Sequence, residues 1–399
     1  MPQAQTPLSS NQAHILDVAS NGNGREVARL LGVSGNANFC DEAGETPLMH
    51  SIGAPEPHDD GRTVQLTAFE VLLPRSDLAA RNVAGADALM FAARAGDISA
   101  IRALLPRSNL SNRANNGFSA LHFAVEAGKF EAVELLASLF PVDDRDWRGK
   151  TPLHMTISAR SKERFIFDLL FPLSNPLIAD NDGQTPLMSA AAALDQHFFG
   201  RLLAVSDVSQ TDAHGNTVLH VAAQNNSVWA IKRLLPLCDA NALNHLGRNA
   251  LMVAASFAAA EAAEILFAAP DARHIDHEGN DALILAFKAL GQGSSPPREK
   301  VEKIAAFLAP ASNPGTRNAQ GEQALSLAFA AGMGSIFSVV FSRANDAEFE
   351  SLARSALLFA VGPAAGARFE AYLLNQETRA ETQSAAPATP APQKRPRSL

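Results

Sequence analysis

Residues 212–235 read Asp-Ala-His-Gly-Asn-Thr-Val-Leu-His-Val-Ala-Ala-Gln-Asn-Asn-Ser-Val-Trp-Ala-Ile-Lys-Arg-Leu-Leu, and Pro236 follows. Asp212 and Gly215 make a turn in which glycine supplies a positive φ at no steric cost. Thr217 then stands where an N-cap hydroxyl takes the first free backbone N–H groups of a helix. Leu219, Ala222 and Ala223 share one face of that helix at helical spacing, and Asn225-Asn226 supplies a left-handed stop. A second helix carries Ile231, Leu234 and Leu235 on one side and is expected to end at Pro236, which cannot extend it without losing a backbone hydrogen bond. Two helices this short cannot form a core alone, so the unit needs neighbours of its own kind.

The neighbours are in the chain. The turn glycine recurs at Gly44, Gly85, Gly117, Gly149, Gly183, Gly215, Gly247, Gly279 and Gly321, at steps of 41, 32, 32, 34, 32, 32, 32 and 42 residues. Four residues after each stands leucine: Leu48, Leu89, Leu121, Leu153, Leu187, Leu219, Leu251, Leu283 and Leu325. Two residues after the glycine every copy has a good N-cap residue except Gln323. Pro47, Pro152 and Pro186 follow in three copies, at the first helical site, where proline is tolerated. Seven residues after the glycine the side chain is always Ala, Ser or Thr, which lets helices of adjacent copies approach closely. Three residues before it stands Asp or Asn, except Ala114, as suits a turn closed by a side-chain hydrogen bond.

Repetition of this kind makes one long array of a 399-residue chain that length alone would divide into two or three domains. A 47% apolar fraction led by alanine, with 19% charged residues, is globular and favours helices. The net charge of −8 is spread over interleaved acids and bases, which gives no footprint for nucleic acid. The most apolar stretch, 250–269, contains Glu261 and Glu264 and keeps the repeat register, so no membrane span is expected. Residues 1–10 have neither the basic start nor the apolar run of a secretory signal. Cys40 and Cys238 are too few and too far apart in sequence for a disulfide framework or a paired-cysteine metal site, and suit a reducing compartment.

The pattern Asp-x-x-Gly-x-Thr-Pro-Leu-His-x-Ala-Ala, fullest in residues 117–136, 146–154 and 212–235, resembles the ankyrin repeat family over residues 41–345. The resemblance implies an all-α solenoid of antiparallel helix pairs stacked side by side, with loops projecting as a row of β-hairpin-like fingers. It also implies a protein-binding role and no catalytic centre, in a bacterial-type array of nine repeats plus caps. One departure is systematic: Pro74, Pro106, Pro172, Pro236 and Pro310 stand where the family has a glycine stop after the second helix. Another is the inter-helix glycine, which survives as Gly96, Gly128 and Gly332, with Asn226 in a fourth copy and Pro55, Arg160, Leu194, Ala258 and Leu290 in the rest.

The expected layout is a disordered N-terminus at 1–10, an N-terminal capping pair at 11–36, nine repeats at 37–345, C-terminal capping helices at 346–376 and a disordered, basic-ended tail at 377–399. Insertions at 54–63 and 291–298 account for the two long steps.

Candidate chemistry is sparse. The resemblance implies that His122, His154 and His220 bridge loop and helix. His214, His245 and His277 sit at successive loop tips, but stacked helices are about 8–10 Å apart and zinc ligands lie about 2 Å from the metal, so no metal is expected. No phosphate-cradling glycine loop, HExxH or GxSxG elbow occurs, and neither a catalytic residue nor a cofactor is expected.

Binding is expected at positions that vary while the frame stays fixed. At the loop tips these are Phe118, Trp147, Arg148, Lys150, Asp182, Gln184, His214, Asn216, His245 and Arg248, and at the ends of the first helices Arg94, Glu126, Gln224 and Asn225. Exposed aromatics and arginine are the types that anchor interfaces, which puts Phe118, Trp147 and Arg148 at the centre. The expected protein is therefore a monomeric, cytoplasmic scaffold that binds a protein partner, with translocation into a host cell as an effector as a narrower form. The alternative is an enzyme or inhibitor whose active segment lies outside the array, in the C-terminal cap or tail.

Overall fold

The computed structural model describes residues 8–32, 35–55, 66–158, 164–193, 195–268, 271–290, 297–313 and 316–333. They fall into two compact units, Met1–Cys238 and Asp239–Leu399. Residues 1–7, most of both insertions (56–63 and 291–296), and the expected C-terminal helices and tail lie outside the described residues, as do Arg160 and Leu194.

The first unit opens with α1 (Ser10–Ser20) and α2 (Gly24–Leu31). Helix pairs follow in chain order: α3 (Pro47–Ser51) with α4 (Ala68–Leu72), α5 (Ala88–Ala95) with α6 (Ile98–Leu104), and α7 (Ala120–Glu126) with α8 (Phe130–Ala137). After these come α9 (Pro152–Ser158) with α10 (Arg164–Leu170), α11 (Pro186–Ala193) with α12 (Gln196–Leu203), and α13 (Val218–Gln224) with α14 (Val228–Leu234). Each pair packs on itself, and the first helices form a continuous row from α1 through α3, α5, α7, α9 and α11 to α13. The second unit repeats the scheme with α15 (Ala250–Ser256), α16 (Ala260–Leu266), α17 (Ala282–Ala289), α18 (Arg298–Leu308) and α19 (Ala324–Ala330), in which α15, α17 and α19 form the row.

The repeat leucine fills the space between neighbouring first helices. Leu121, Leu153 and Leu251 are wholly buried, each burial worth about 1.5–3 kcal/mol. The small residue three positions on is buried in every copy, so the row closes over alanine methyls at Ala92, Ala124, Ala190, Ala222, Ala254, Ala286 and Ala328. Second helices use larger side chains: Phe167 stacks against Phe171 at 5.3 Å and tilts onto Phe198 at 4.6 Å, and Phe199 meets Trp229 edge-on at 4.9 Å.

Caps behave as the sequence predicts in most copies. Asp87, Asn249 and Asp281 accept from the backbone N–H of Met90, Met252 and Ile284 at 3.0, 3.0 and 2.8 Å. At Gln323, the poor cap, Ser326 Oγ accepts the Gln323 N–H at 3.2 Å, the reciprocal half of a capping box.

Two expectations are corrected. Proline does not simply stop the second helix: α4 and α6 tighten into the 3₁₀ turns Leu73–Arg75 and Leu105–Arg107, which contain Pro74 and Pro106. The missing proline N–H is tolerated there because the last turn needs no further donor at that position. The left-handed residue between helices is Gly53 in the first copy, not Pro55, and Leu290 stays right-handed at φ −66°. Elsewhere Gly96, Gly128, Asn226, Ala258 and Gly332 all take positive φ.

Candidate partner-binding surface

The loop tips are built from the residue three before each glycine. Asp146 Oδ1 accepts the N–H groups of Arg148 and Lys150 at 2.9 and 2.7 Å. Asp180 does the same for Asp182 and Gln184, and Asp212 for His214 and Asn216. The third copy has Ala114 at this position, and Asn116 Oδ1 takes the Phe118 N–H instead at 3.1 Å. In the second unit Asp276 binds Glu278 and Asn280 likewise and accepts from Arg248 Nε at 2.9 Å. Its burial raises the carboxyl pKa, but the Asn280 and Arg248 donors outweigh that and hold it below the ordinary value.

Within each unit, successive tips are also tied by one backbone hydrogen bond. Val83 N–H donates to Ala43 O, Asn115 to Ala84, Trp147 to Asn116, Asn181 to Arg148 and Ala213 to Asp182, at 2.8–3.1 Å. In the second unit His277 donates to Leu246 and Ala319 to Glu278. Among the described residues no strand forms, so the fingers implied by the resemblance are turns zipped edge to edge. The close approach explains the glycine beyond its φ: a Cβ on Gly183 would lie 2.8 Å from Ala213 N and 2.9 Å from Asp212 C.

His122, His154 and His220 hold tip to helix. The backbone N–H of Ser119, Thr151 and Thr217 donates to their Nδ1 at 3.2, 3.3 and 3.2 Å, which leaves the proton on Nε2. His154 Nε2 then donates to Gln184 O in the next tip at 3.2 Å. His122 Nε2 turns to the equivalent Lys150 carbonyl without reaching hydrogen-bond geometry. Burial pushes the pKa of His122 and His154 below the ordinary value, so both are neutral in the fold.

Within this frame the expected binding residues divide. Trp147 is 62% exposed, and the Arg148 guanidinium lies 5.1 Å from its ring centroid, a cation–π contact worth about 0.5–1 kcal/mol. Asp182, His214, Arg94, Glu126, Gln224 and Asn225 are exposed as well. Lys150, Gln184 and Asn216 are half-buried, and the Asn216 amide donates to Asp212 Oδ2 at 3.1 Å.

Phe118 is a correction: only 8% exposed, it stacks on His122 at 5.4 Å and meets Phe123 edge-on at 5.5 Å. Its apolar ring gains more against the buried imidazole than in water, so it belongs to the core. Arg248 is likewise committed, to Asp276. Its neighbour His245 is exposed, and both lie in the second unit.

A further row, outside the expected binding residues, stands four residues before the glycine in three successive copies: Arg81, Arg113 and Arg145. Arg81 Nη1 donates to Arg113 O at 3.0 Å, and Arg145 Nη2 to Ala179 O, the same position of its next copy, at 3.1 Å. The identical 32-residue spacing is the signal that reveals it.

Among the described residues, the group with metal-ligand spacing is Asp41, Glu45 and His50. Its closeness is accounted for by the His50 Nε2 to Asp41 Oδ2 hydrogen bond of 2.9 Å. Cys40 and Cys238 are unpaired thiols, and burial pushes that of Cys238 up to about 11, away from reactivity.

A family model for ankyrin repeats in sets of three copies matches residues 62–146, 89–176, 153–244, 191–276 and 219–295. This chain belongs to the ankyrin repeat family. No curated protein matches it. Ankyrin repeats generally mediate protein–protein interaction, which suggests a protein partner. Among the described residues no helix of this ankyrin protein is long and apolar enough to cross a membrane.

Proposed function

We propose that the array is a non-catalytic scaffold that captures a protein partner on the exposed sides of its tips and first-helix ends, centred on the third to sixth copies. The observation that carries this is Trp147: a large aromatic, 62% exposed, with Arg148 stacked beside it on a tip fixed by Asp146 and by the tip-to-tip bonds. Aromatic and arginine side chains on a preorganised support bind at low entropic cost. Asp182, His214, Arg94, Glu126, Gln224 and Asn225 supply a polar surround. A monomer in a reducing, cytoplasmic setting suits the two unpaired thiols; action on host proteins after translocation is the narrower form, which the partner's identity decides.

The test is affinity capture with the full chain against Trp147→Ala/Arg148→Ala, followed by mass spectrometry and by affinity measurement on each captured protein. At least one partner bound by the wild type is expected to be lost by the variant, with stability within about 1 kcal/mol of wild type. Equal affinity for every partner would remove this surface from the account.

A further inference from the structure

We propose that the edge formed by Arg81, Arg113, Arg145, Arg148 and Lys150, with Trp147 at its end, binds an extended acidic peptide whose carboxylates recur at every third residue. This deepens the scaffold reading and rests on it.

The charge is local, and of the five basic residues of this edge Arg113 alone is paired with a carboxylate among the described residues. Residues 75–150 carry ten Lys and Arg against nine Asp and Glu, in a chain with 33 against 41. Several of those nine acids are used internally: Asp87 caps a helix, Asp146 closes a turn, and Asp144 pairs with Arg113 at 2.7 Å. Arg81 donates to Arg113 O, and Arg145 to Gly149 O through Nε and to Ala179 O and Asn181 Oδ1 through Nη2, uncharged acceptors that orient each guanidinium without neutralising it. Neither they nor Arg148 nor Lys150 has a carboxylate within salt-bridge distance among the described residues. Neighbouring tips differ: Asn115-Asn116 is uncharged and Asn181-Asp182 is acidic, so the basic character ends at the fourth copy.

Spacing selects the partner's conformation. Arg81, Arg113 and Arg145 hold the same position in successive copies, and stacked helices step by about 8–10 Å. A polyproline II chain rises about 3.1 Å per residue with three residues per turn, so every third side chain shares one edge at about 9.3 Å. A β-strand places residues three apart on opposite faces. Carboxylates at i and i+6 of a polyproline II segment therefore meet Arg81 and Arg145 in register, with Arg113, held by Asp144, between them, and charged N–H donors suit carboxylates. The segment then continues onto Arg148, Lys150 and the Trp147 ring, against which proline packs.

The probe is the peptide (Glu-Pro-Pro)₄, titrated into full-length Trp229→Phe protein so that Trp147 is the one tryptophan reporting. Expected are saturable 1:1 quenching that weakens with added salt, and a loss of affinity of at least about tenfold in Arg148→Glu and in Arg81→Gln/Arg145→Gln. Arg148→Glu removes no bond that holds the loops, so it stays informative if the double variant melts early. A peptide of the same composition with its glutamates clustered at one end is expected to bind at least about tenfold more weakly. Equal binding of the two peptides, full binding by Arg148→Glu, or tighter binding of a dT₁₂ oligonucleotide at the same residues would each overturn the proposal. If the acidic peptide fails while a captured protein still depends on Trp147 and Arg148, the scaffold reading stands and only the acidic chemistry falls.

Discussion

The fourth and fifth tips share one backbone and present opposite surfaces. Asp146 and Asp180 close the same turn with the same pair of N–H groups, and Gly149 and Gly183 take φ of 77° and 74°. Each tip donates one backbone bond to the tip before it. Yet one carries Trp147, Arg148 and Lys150 and the other Asn181, Asp182 and Gln184. Buried polar groups and glycine set the conformation, and the outward side chains are left free to differ. Stability and recognition should therefore respond to different residues of the same loop.

The separation can be broken from the frame side. Gly183→Val puts a β-branched residue at φ 74° with backbone atoms of the next tip inside 3 Å. The left-handed strain alone is about 1–2 kcal/mol, and the clash adds to it, so a large fall in melting temperature is expected by calorimetry. Acid should act through the histidines. Their folded pKa lies below the unfolded value of about 6.5, so the stability from neutral His122 and His154 is complete above that pH and declines as pH falls through it. The loss is up to about 1.4 kcal/mol per histidine per pH unit. Denaturant midpoints between pH 7.5 and 5.5 measure it, and His154→Gln should flatten the dependence.

Smaller effects sharpen the same contrast. Asp146→Ala leaves two tip N–H groups without their acceptor and should cost about 1–3 kcal/mol, whereas Asp182→Ala, exposed one tip away, should stay within about 0.5 kcal/mol. Equal costs would mean that the turn aspartate is not a support. Trp147→Ala/Arg148→Ala should leave the melting curve within about 0.5–1 kcal/mol of wild type, the size of the exposed cation–π contact, while partner binding changes.

Much of the frame was legible because it is written in residue types with one physical use. Glycine at positive φ, leucine four residues on and a small residue at seven are each readable from one copy and secured by nine, and Asp or Asn at minus three is secured by eight. What stayed hidden depends on three-dimensional neighbours. Phe118 looks like a tip aromatic in sequence, and only its stacking on His122 shows that it points inward. Arg248 looks like a free tip arginine until Asp276 is seen beside it. The zipper between tips is made of backbone groups, which sequence does not name. The arginine row was visible by spacing alone, but it lies outside the glycine-to-helix segment that set the register.

The central claim is that the tips are a rigid support whose outward side chains are free for a partner. Amide hydrogen exchange at Trp147 and Asn181 tests it most directly, because both residues are exposed while their N–H groups bond Asn116 O and Arg148 O. Protection of these two amides by about a hundredfold or more over an unstructured peptide is the result expected of a zipped edge. Exchange at the unprotected rate would show open loops, and the account of a fixed frame beneath a free surface would be wrong.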